Sequence, residues 1–512
     1  MNNHRHMPAV LAVLAGAAQV LGFAPFALWP LALVTAAVWL GTLAQVSVRA
    51  AAWRGFAFAF GLYLAGVSWV YMSIHVYGGA PALLAVLLVL LLAAYLAVYA
   101  GLAFAVAWWL SPLPWVRLLL ALPATWLAAE MGRGLVLGGF PWLGLGYALL
   151  DVPGMAGLYA LVGVLGATLI YWWLAGALAM MVLARPALPG RPWRTRAIGA
   201  AVALPVGVAL IAAPLPTHWT TAVSDEVTVA LIQGNMAQDQ KWLPENLVPT
   251  LERYTALTER HTDADLVIWP EVAIPASRHI VEPWFEKWQA DAVLHQQTVL
   301  AGVITRVDGQ AYNTVYALGA QPDRYVKQHL VPFGEYFPVP GWVRPVFDWL
   351  DLPFSDIRTD LPGASQLRHD THALAMSICF EDVFPAEFAR TARGSDLLVN
   401  VTNDAWFAGT LAPYQHLQIA RARAAENGRP LLRVANTGIS AIIDGDGQVT
   451  HALPWGETGT LAAAVTGRRG LTPFARWQHQ ILGAAAGIVV VLLLLFRPLA
   501  FSISRRAAPT VN

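Results

Sequence analysis

Apolar residues dominate long, unbroken stretches at both ends of the chain, while in the middle they come in short runs separated by polar segments. Stretches at about 8–24, 28–46, 55–74, 82–110, 114–131, 154–184, 197–213 and 480–497 are each near the roughly 17–25 mostly apolar residues that cross a bilayer core as a helix. The run 82–110 is long enough to tilt, and the fifth is broken by Pro123 and ends at Glu130. Between 221 and 476 the pattern changes. Short runs rich in β-branched residues, VTVALIQGN (227–235), LVIWPEV (266–272), TVLAGVIT (298–305), YNTVYAL (312–318), HALAMSICFED (372–382), DLLVNVTND (396–404), PLLRVANT (430–437) and SAIIDGDG (440–447), predict strands. Helical stretches are predicted at about 245–262, 283–296, 384–392 and 413–427. The chain therefore divides into a transmembrane domain (1–220, about seven helices), an inserted α/β domain (221–476), and a last transmembrane helix with its tail (477–512).

Composition supports this division. Of 512 residues, 57% are hydrophobic and only 12% charged, against about 25% charged in an ordinary soluble domain. That excludes a disordered chain, a nucleic-acid binder and a single soluble domain. The net charge of +1 hides a split: residues 221–476 hold 29 acids and 20 bases, while the remainder holds 2 acids and 12 bases. With eight spans and a cytoplasmic N-terminus, Arg5, Arg49, Arg54, Arg117, Arg185, Arg191, Arg194, Arg196, Arg497, Arg505 and Arg506 all fall on the cytoplasmic side. The positive-inside rule then puts the α/β domain outside the cytoplasm. The basic N-terminus and its apolar run are expected to be a retained anchor rather than a cleaved signal, because a second span follows almost at once.

Glu130, Arg133, Asp151 and His75 lie in or near spans, where an ionisable group is a functional candidate by default. Glu130 and Arg133, three residues apart, can instead pair on one helix face, and a structural role is expected for all four. One cysteine rules out a disulfide framework, and no Cys/His spacing resembles a metal site. Within the α/β domain, several strands end in reactive residues: Glu271 after VIWP, Cys379 and Glu381 in SICFED, Asn403 and Asp404 in VNVTND. Strand ends are where α/β sheets bind ligands. Taken singly, a cysteine is more often a small buried hydrophobe than a nucleophile. Lysine is scarce: 3 against 29 arginines, all three (Lys241, Lys287, Lys327) in the middle block, a bias that hints at ammonium chemistry. Asn403 and Asp404 read as turn residues, and His416 with Arg421, Arg423 and Glu426 as structural.

Together three segments are specific. WPE (269–271), KQHLVPFGEY (327–336) and CFEDVFP (379–385) resemble, in that order, the Glu–Lys–Cys triad of the nitrilase superfamily. With IQGNMAQDQKW (232–242) and the long run from NDAWF to AIID (403–444), the whole chain resembles the apolipoprotein N-acyltransferase family, the membrane-embedded branch of that superfamily. One departure is Phe380, where the family usually has Tyr; the backbone N–H is retained. The resemblance implies an α-β-β-α sandwich for the inserted domain. It also implies a ping-pong acyl transfer that needs no cofactor or metal. A fatty acyl chain would pass from a phospholipid, phosphatidylethanolamine being expected, to Cys379. It would then pass to the α-amine of an S-diacylglyceryl-cysteine apolipoprotein, in the bacterial inner membrane with the catalytic domain on the periplasmic side. By analogy Glu271 is the general base, and Lys327 with the Phe380 N–H stabilises the oxyanion. Glu335 orients Lys327 and Glu381 shapes the Cys379 site. The apolar, Pro-rich stretch 337–354, with Trp342, Phe347 and Trp349, is expected to form a lid or membrane-dipping arm, and Trp242 to border the same mouth.

Overall fold

The computed structural model describes residues 7–183, 219–336, 357–407 and 409–506. The expected span at 197–213, the arginines of 185–196, and Trp342, Phe347 and Trp349 of the expected lid or arm lie outside the described residues. Two compact units divide the chain. One comprises the stretches up to Ser68, Leu83–Pro216 and from His479 onward; the other comprises Trp69–Ala82 and Thr217–Gln478.

Among its described residues the first unit contains helices joined by loops and no strand. Three of its described helices, Ala82–Leu110, Ala156–Met181 and Gln480–Ala500, are long and apolar enough to cross a membrane. Pro8–Gly22 and Trp29–Gly41 are shorter apolar helices. The stretch expected to span 55–74 behaves differently: its helix runs Val48–Gly66, opened by Ser47, whose hydroxyl accepts from Ala50 N at 3.3 Å. Residues 69–82 then belong to the other unit. Hydropathy alone could not see this break, because the apolar run continues across it. Small residues let the first and third helices cross closely: a Cβ on Gly16 would run into the backbone of Phe58, and one on Gly61 into that of Val13. Such contacts drive helix association where water contributes no hydrophobic force.

Glu130 and Arg133 are buried and 4.0 Å apart. Glu130 accepts from Trp126 Nε1 at 3.0 Å and Thr168 Oγ1 at 3.2 Å. Arg133 donates to the carbonyls of Phe140 and Trp142 at 2.5 and 2.7 Å. The pair thereby ties down the Gly-rich loop that follows its helix. Asp151 is exposed, and His75 Nδ1 bonds the Ala80 carbonyl at 2.8 Å.

The second unit holds two sheets. Strands β1 (Thr221–Gln233), β2 (Leu266–Ile268), β3 (Ile274–Ser277), β4 (Thr298–Val307), β5 (Gln310–Leu318) and β6 (Asp323–Val326) join β13 (Gly459–Arg469) in a seven-stranded sheet, ordered β13-β1-β2-β4-β5-β6 with β3 also on β4. Strands β7 (Leu367–His369), β8 (His372–Ile378), β9 (Leu397–Thr402), β10 (Leu431–Ala435), β11 (Ser440–Ile443) and β12 (Val449–Leu453) form a six-stranded sheet in reverse numerical order. Alternation along the strands sorts the core into layers. Val229 and Leu231 of β1 face Met376, Ile378, Val399 and Val401 of the other sheet, in one cluster. Ala230 and Ile232 point the opposite way, onto Leu251, Tyr254 and Trp288 of helices Leu247–Thr258 and Glu282–Leu294. On the far side, Ala375, Leu398 and Leu431 pack on Phe388, Ala420 and Ala424 of helices Pro385–Thr391 and Ala412–Asn427. The layers run helix–sheet–sheet–helix, the α-β-β-α sandwich expected. With both faces covered, strands such as β8 and β9 are buried at every position.

Candidate active site

Three strands, β2 of the seven-stranded sheet and the parallel neighbours β8 and β9 of the six-stranded one, deliver reactive groups at their C-terminal ends. Pro270 helps end β2 and Glu271 follows; β8 stops at Ile378 and Cys379 follows; β9 stops at Thr402 and Asn403 follows. Lys327 leaves the end of β6, its N–H bonded to the Asn313 carbonyl of β5 at 2.9 Å. Gly302 of β4 makes room for the Glu271 turn, since a Cβ there would strike the backbone of residues 270–272.

The side chains converge in a buried ion cluster. Lys327 Nζ lies 3.2 Å from Glu271 Oε1 and 2.9 Å from Glu335 Oε1, and Lys327 is 1% exposed. Asn313 Nδ2 donates to the same two carboxylates, at 2.7 Å to Glu271 and 3.2 Å to Glu335. Glu271 Oε2 accepts the backbone N–H of Asn403 at 3.0 Å, and Glu335 Oε2 accepts that of Val331 at 2.8 Å. Burial works against the Lys327 ammonium, but the flanking Glu271 and Glu335 carboxylates outweigh it and raise its pKa. Lys327 is therefore a fixed cation and cannot serve as a base near neutrality.

Cys379 sits at φ +52°, the left-handed region that a non-glycine residue occupies at a cost of about 1–3 kcal/mol. Glu381 holds this turn. Its Oε2 accepts from Ile378 N at 2.6 Å and from the Tyr325 hydroxyl at 3.0 Å; its Oε1 accepts from Gln328 N at 2.6 Å and His329 N at 3.0 Å. One carboxylate thus joins the cysteine turn to the segment carrying Lys327. Burial, and next the Glu271 carboxylate, push the Cys379 thiol well above its usual value, against the opposing pull of Lys327. The resting sulfur is a thiol, so nucleophilic attack requires a base, and Glu271 is the carboxylate that acts on it most strongly.

Sequence reasoning missed part of the surroundings. Asn313 bridges both carboxylates, and its only signal was an amide inside a β-branched run. Asp404, read as a turn residue, belongs to a buried network under the Cys379 turn. His416 Nδ1 and Nε2 lie 2.9 Å from Asp404 Oδ1 and Asp382 Oδ1, and Arg433 reaches Asp404 at 2.8 Å and Asn400 Oδ1 at 2.6 Å. Asn400 Nδ2 in turn donates to the Cys379 carbonyl at 3.4 Å. Burial and Arg433 depress the His416 imidazolium, yet Asp382 and Asp404 prevail and raise it to about 9. Trp242 is 52% exposed. Among the described residues no group of His, Cys, Asp and Glu is arranged to hold a metal ion.

The sandwich itself is the class-defining feature: residues 228–473, which form it, match the carbon–nitrogen hydrolase family. Residues 15–177 match the apolipoprotein N-acyltransferase N-terminal domain. The chain is 40% identical to the apolipoprotein N-acyltransferase of Azotobacter vinelandii, over 94% of this chain and 93% of that one. It is 36% identical to that of Vibrio vulnificus, over 93% and 94% respectively. A solved carbon–nitrogen hydrolase superfamily protein from Xanthomonas campestris aligns with 51% of the chain and 96% of its own, at 18% identity and TM-score 0.35. The chain belongs to the apolipoprotein N-acyltransferase family.

Proposed function

We propose that this protein moves a fatty acyl chain from a phospholipid to the N-terminal α-amine of S-diacylglyceryl-cysteine apolipoproteins through a thioester on Cys379. The observation that carries the reading is the buried Glu271–Lys327–Glu335 cluster beside a strained, protonated Cys379. In the first half-reaction Glu271 takes the thiol proton as sulfur attacks the ester carbonyl carbon. The Lys327 ammonium and the Phe380 N–H stabilise the oxyanion. The C–O bond then breaks, and Glu271 returns the proton to the leaving lysophospholipid hydroxyl. In the second, the neutral α-amine attacks the thioester and a C–N bond forms. The C–S bond breaks, and the amine proton passes through Glu271 to the thiolate. Glu335 positions Lys327 and Glu381 positions the nucleophile.

Both substrates sit in or are anchored to lipid, which fits a chain with three described helices long and apolar enough to cross a membrane. The same reading takes phosphatidylethanolamine as the donor, which the family resemblance supports, and about eight spans in the inner membrane with the catalytic domain on the periplasmic side, which the arginine distribution supports.

Purified protein given a phospholipid with a labelled acyl chain should acquire hydroxylamine-labile label on Cys379, and should pass it to a diacylated lipopeptide amine. Free fatty acid with no N-acylated product would reassign the protein as a hydrolase. A thioester-labile label persisting in Cys379→Ser would defeat the mechanism.

A further inference from the structure

The chain uses arginine for 29 of its 32 basic residues. Of the three lysines, Lys287 is half-exposed beside Glu259, and Lys327 is the cation of the site. The third, Lys241, is buried at 1% exposure, yet its Nζ has no hydrogen-bond partner among the described residues. An ammonium has three donors, and leaving them buried and unused costs several kcal/mol. Such a group is retained where function needs it.

Its location narrows the use. Lys241 ends a loop anchored at the active centre: Asn436 brackets Met236 with bonds of 3.0 and 2.8 Å, and Gln238 Oε1 accepts from Asn403 Nδ2 at 3.0 Å. Asn403 is the residue whose N–H holds Glu271. Burial lowers the Lys241 ammonium to about 8, and Glu271 is the charge that opposes the drop. Glu271 does not serve as its hydrogen-bond partner, however. The Glu271 oxygens accept from Asn313, Lys327 and Asn403 instead. No described residue accepts from Lys241 Nζ, which leaves it open to an acceptor carried by a substrate. The incoming α-amine is a donor and, when protonated, a like charge. The donor lipid carries ester and phosphate oxygens, of which the phosphate is anionic and the stronger partner for a buried ammonium. The next two residues, Trp242 and Leu243, are apolar and exposed at 52% and 37%, as the border of a lipid-binding mouth would be.

We propose that Lys241 is a binding residue for the acyl donor, its ammonium, which has no acceptor among the described residues, receiving the phosphate of the phospholipid while the ester lies at Cys379. This rests on the acyl-transfer reading above. It assigns donor recognition to one residue that acts in the first half-reaction only.

The test compares two labelled donors of equal chain length in the same micelles: a diacyl phosphatidylethanolamine and a phosphate-free p-nitrophenyl acyl ester. The readout is the rate of thioester formation on Cys379 against donor concentration. Lys241→Met should lower kcat/KM for the phospholipid by about 30-fold, the range expected for losing a charge-assisted hydrogen bond, and leave the phosphate-free ester within about threefold. Lys241→Arg should recover most of the phospholipid activity, because guanidinium also binds phosphate. Equal loss on both donors would assign Lys241 to tuning Glu271 and overturn the proposal, as would loss on neither. A second measurement needs no variant. In the native protein a non-cleavable dialkyl ether phospholipid should inhibit labelling by the phosphate-free ester at least tenfold more strongly than the dialkylglycerol lacking phosphate, and equal inhibition would overturn the proposal. Failure of the underlying reading is distinguishable, because the native protein would then form no thioester from either donor.

Discussion

Replacing Glu381 by Gln tests whether the cysteine turn is held by one carboxylate. Four donors converge on it: Ile378 N and Tyr325 Oη on one oxygen, Gln328 N and His329 N on the other. A glutamine amide has one oxygen. If that oxygen faces residues 328 and 329, the NH2 meets the Ile378 N–H, donor against donor; turned round, it meets two backbone donors. At least one buried backbone N–H therefore loses its acceptor, and every remaining bond loses its charge assistance. Bonds to ionised acceptors are worth about 1.5–3 kcal/mol each, so the net loss is about 3 kcal/mol.

That loss is comparable to the roughly 1–3 kcal/mol needed to keep a non-glycine residue at positive φ. Without the clamp Cys379, at φ +52°, can relax toward ordinary dihedrals and carry its sulfur away from Glu271 and Lys327. If about 3 kcal/mol appears in the transition state, thioester formation slows by about 100-fold. The assay is the initial rate of hydroxylamine-labile labelling of Cys379 in detergent, with thermal unfolding recorded in parallel. Glu381→Asp, which keeps the charge but is one methylene shorter, should fall between the two. Labelling within threefold of native protein at an unchanged unfolding midpoint would show that the turn does not depend on Glu381.

Four further outcomes follow from the same geometry. Glu271→Gln should abolish acylation of Cys379 by phospholipid, because the thiol is protonated at rest; substantial residual labelling would point to another base. Lys327→Arg should lower acyl transfer by about 100-fold or more, since a planar guanidinium cannot place one nitrogen between two carboxylates in a site built for a compact ammonium. Tyr325→Phe removes one of the four donors on Glu381, and should cost about 1 kcal/mol of stability and less than tenfold in rate. His416 gives a pH signature: its pKa is raised from 6.5 to about 9, so its stabilisation is complete below pH 6.5 and disappears as pH rises through 9. The loss is at most about 3 kcal/mol. The unfolding midpoint of native protein should fall over that interval, and that of His416→Gln should start lower and vary less.

What was legible in the sequence, and what was not, divides along physical lines. Glu271 and Cys379 stand at strand ends, where a local apolar run stops at a reactive residue, and a one-dimensional reading can see such a stop; Lys327, after the unread β6, stood out instead by the scarcity of lysine and the resemblance of its segment. The two sheets were harder. β13 pairs antiparallel with β1 from Thr221↔Arg469 to Gln233↔Gly459, yet its sequence GTLAAAVTGRR is alanine-rich and poor in the β-branched residues that mark a strand. Partnership across more than two hundred residues makes it a strand, and no local window contains the partner. β6 and β7 were missed for their brevity, and β3 because Pro270 and Pro275 interrupt the run that precedes β4.

The same distinction explains the site residues that went unread. Asp404 and His416 each looked like ordinary turn and helix residues, because what makes them a network is the meeting of the 379–383 turn, the end of β9, the helix Ala412–Asn427 and β10. Asn313 and Lys241 differ from these. An amide inside a β-branched strand and a lysine in an arginine-rich chain are both departures from local expectation, and such departures concentrate at functional sites. In this chain the composition bias singled out three lysines, and burial sorts them: one half-exposed beside an acid, one held between two carboxylates, and one buried with no acceptor among the described residues. A buried cation with no acceptor among the described residues is intelligible if its partner is a substrate, which is why the donor phosphate is the place to look for it.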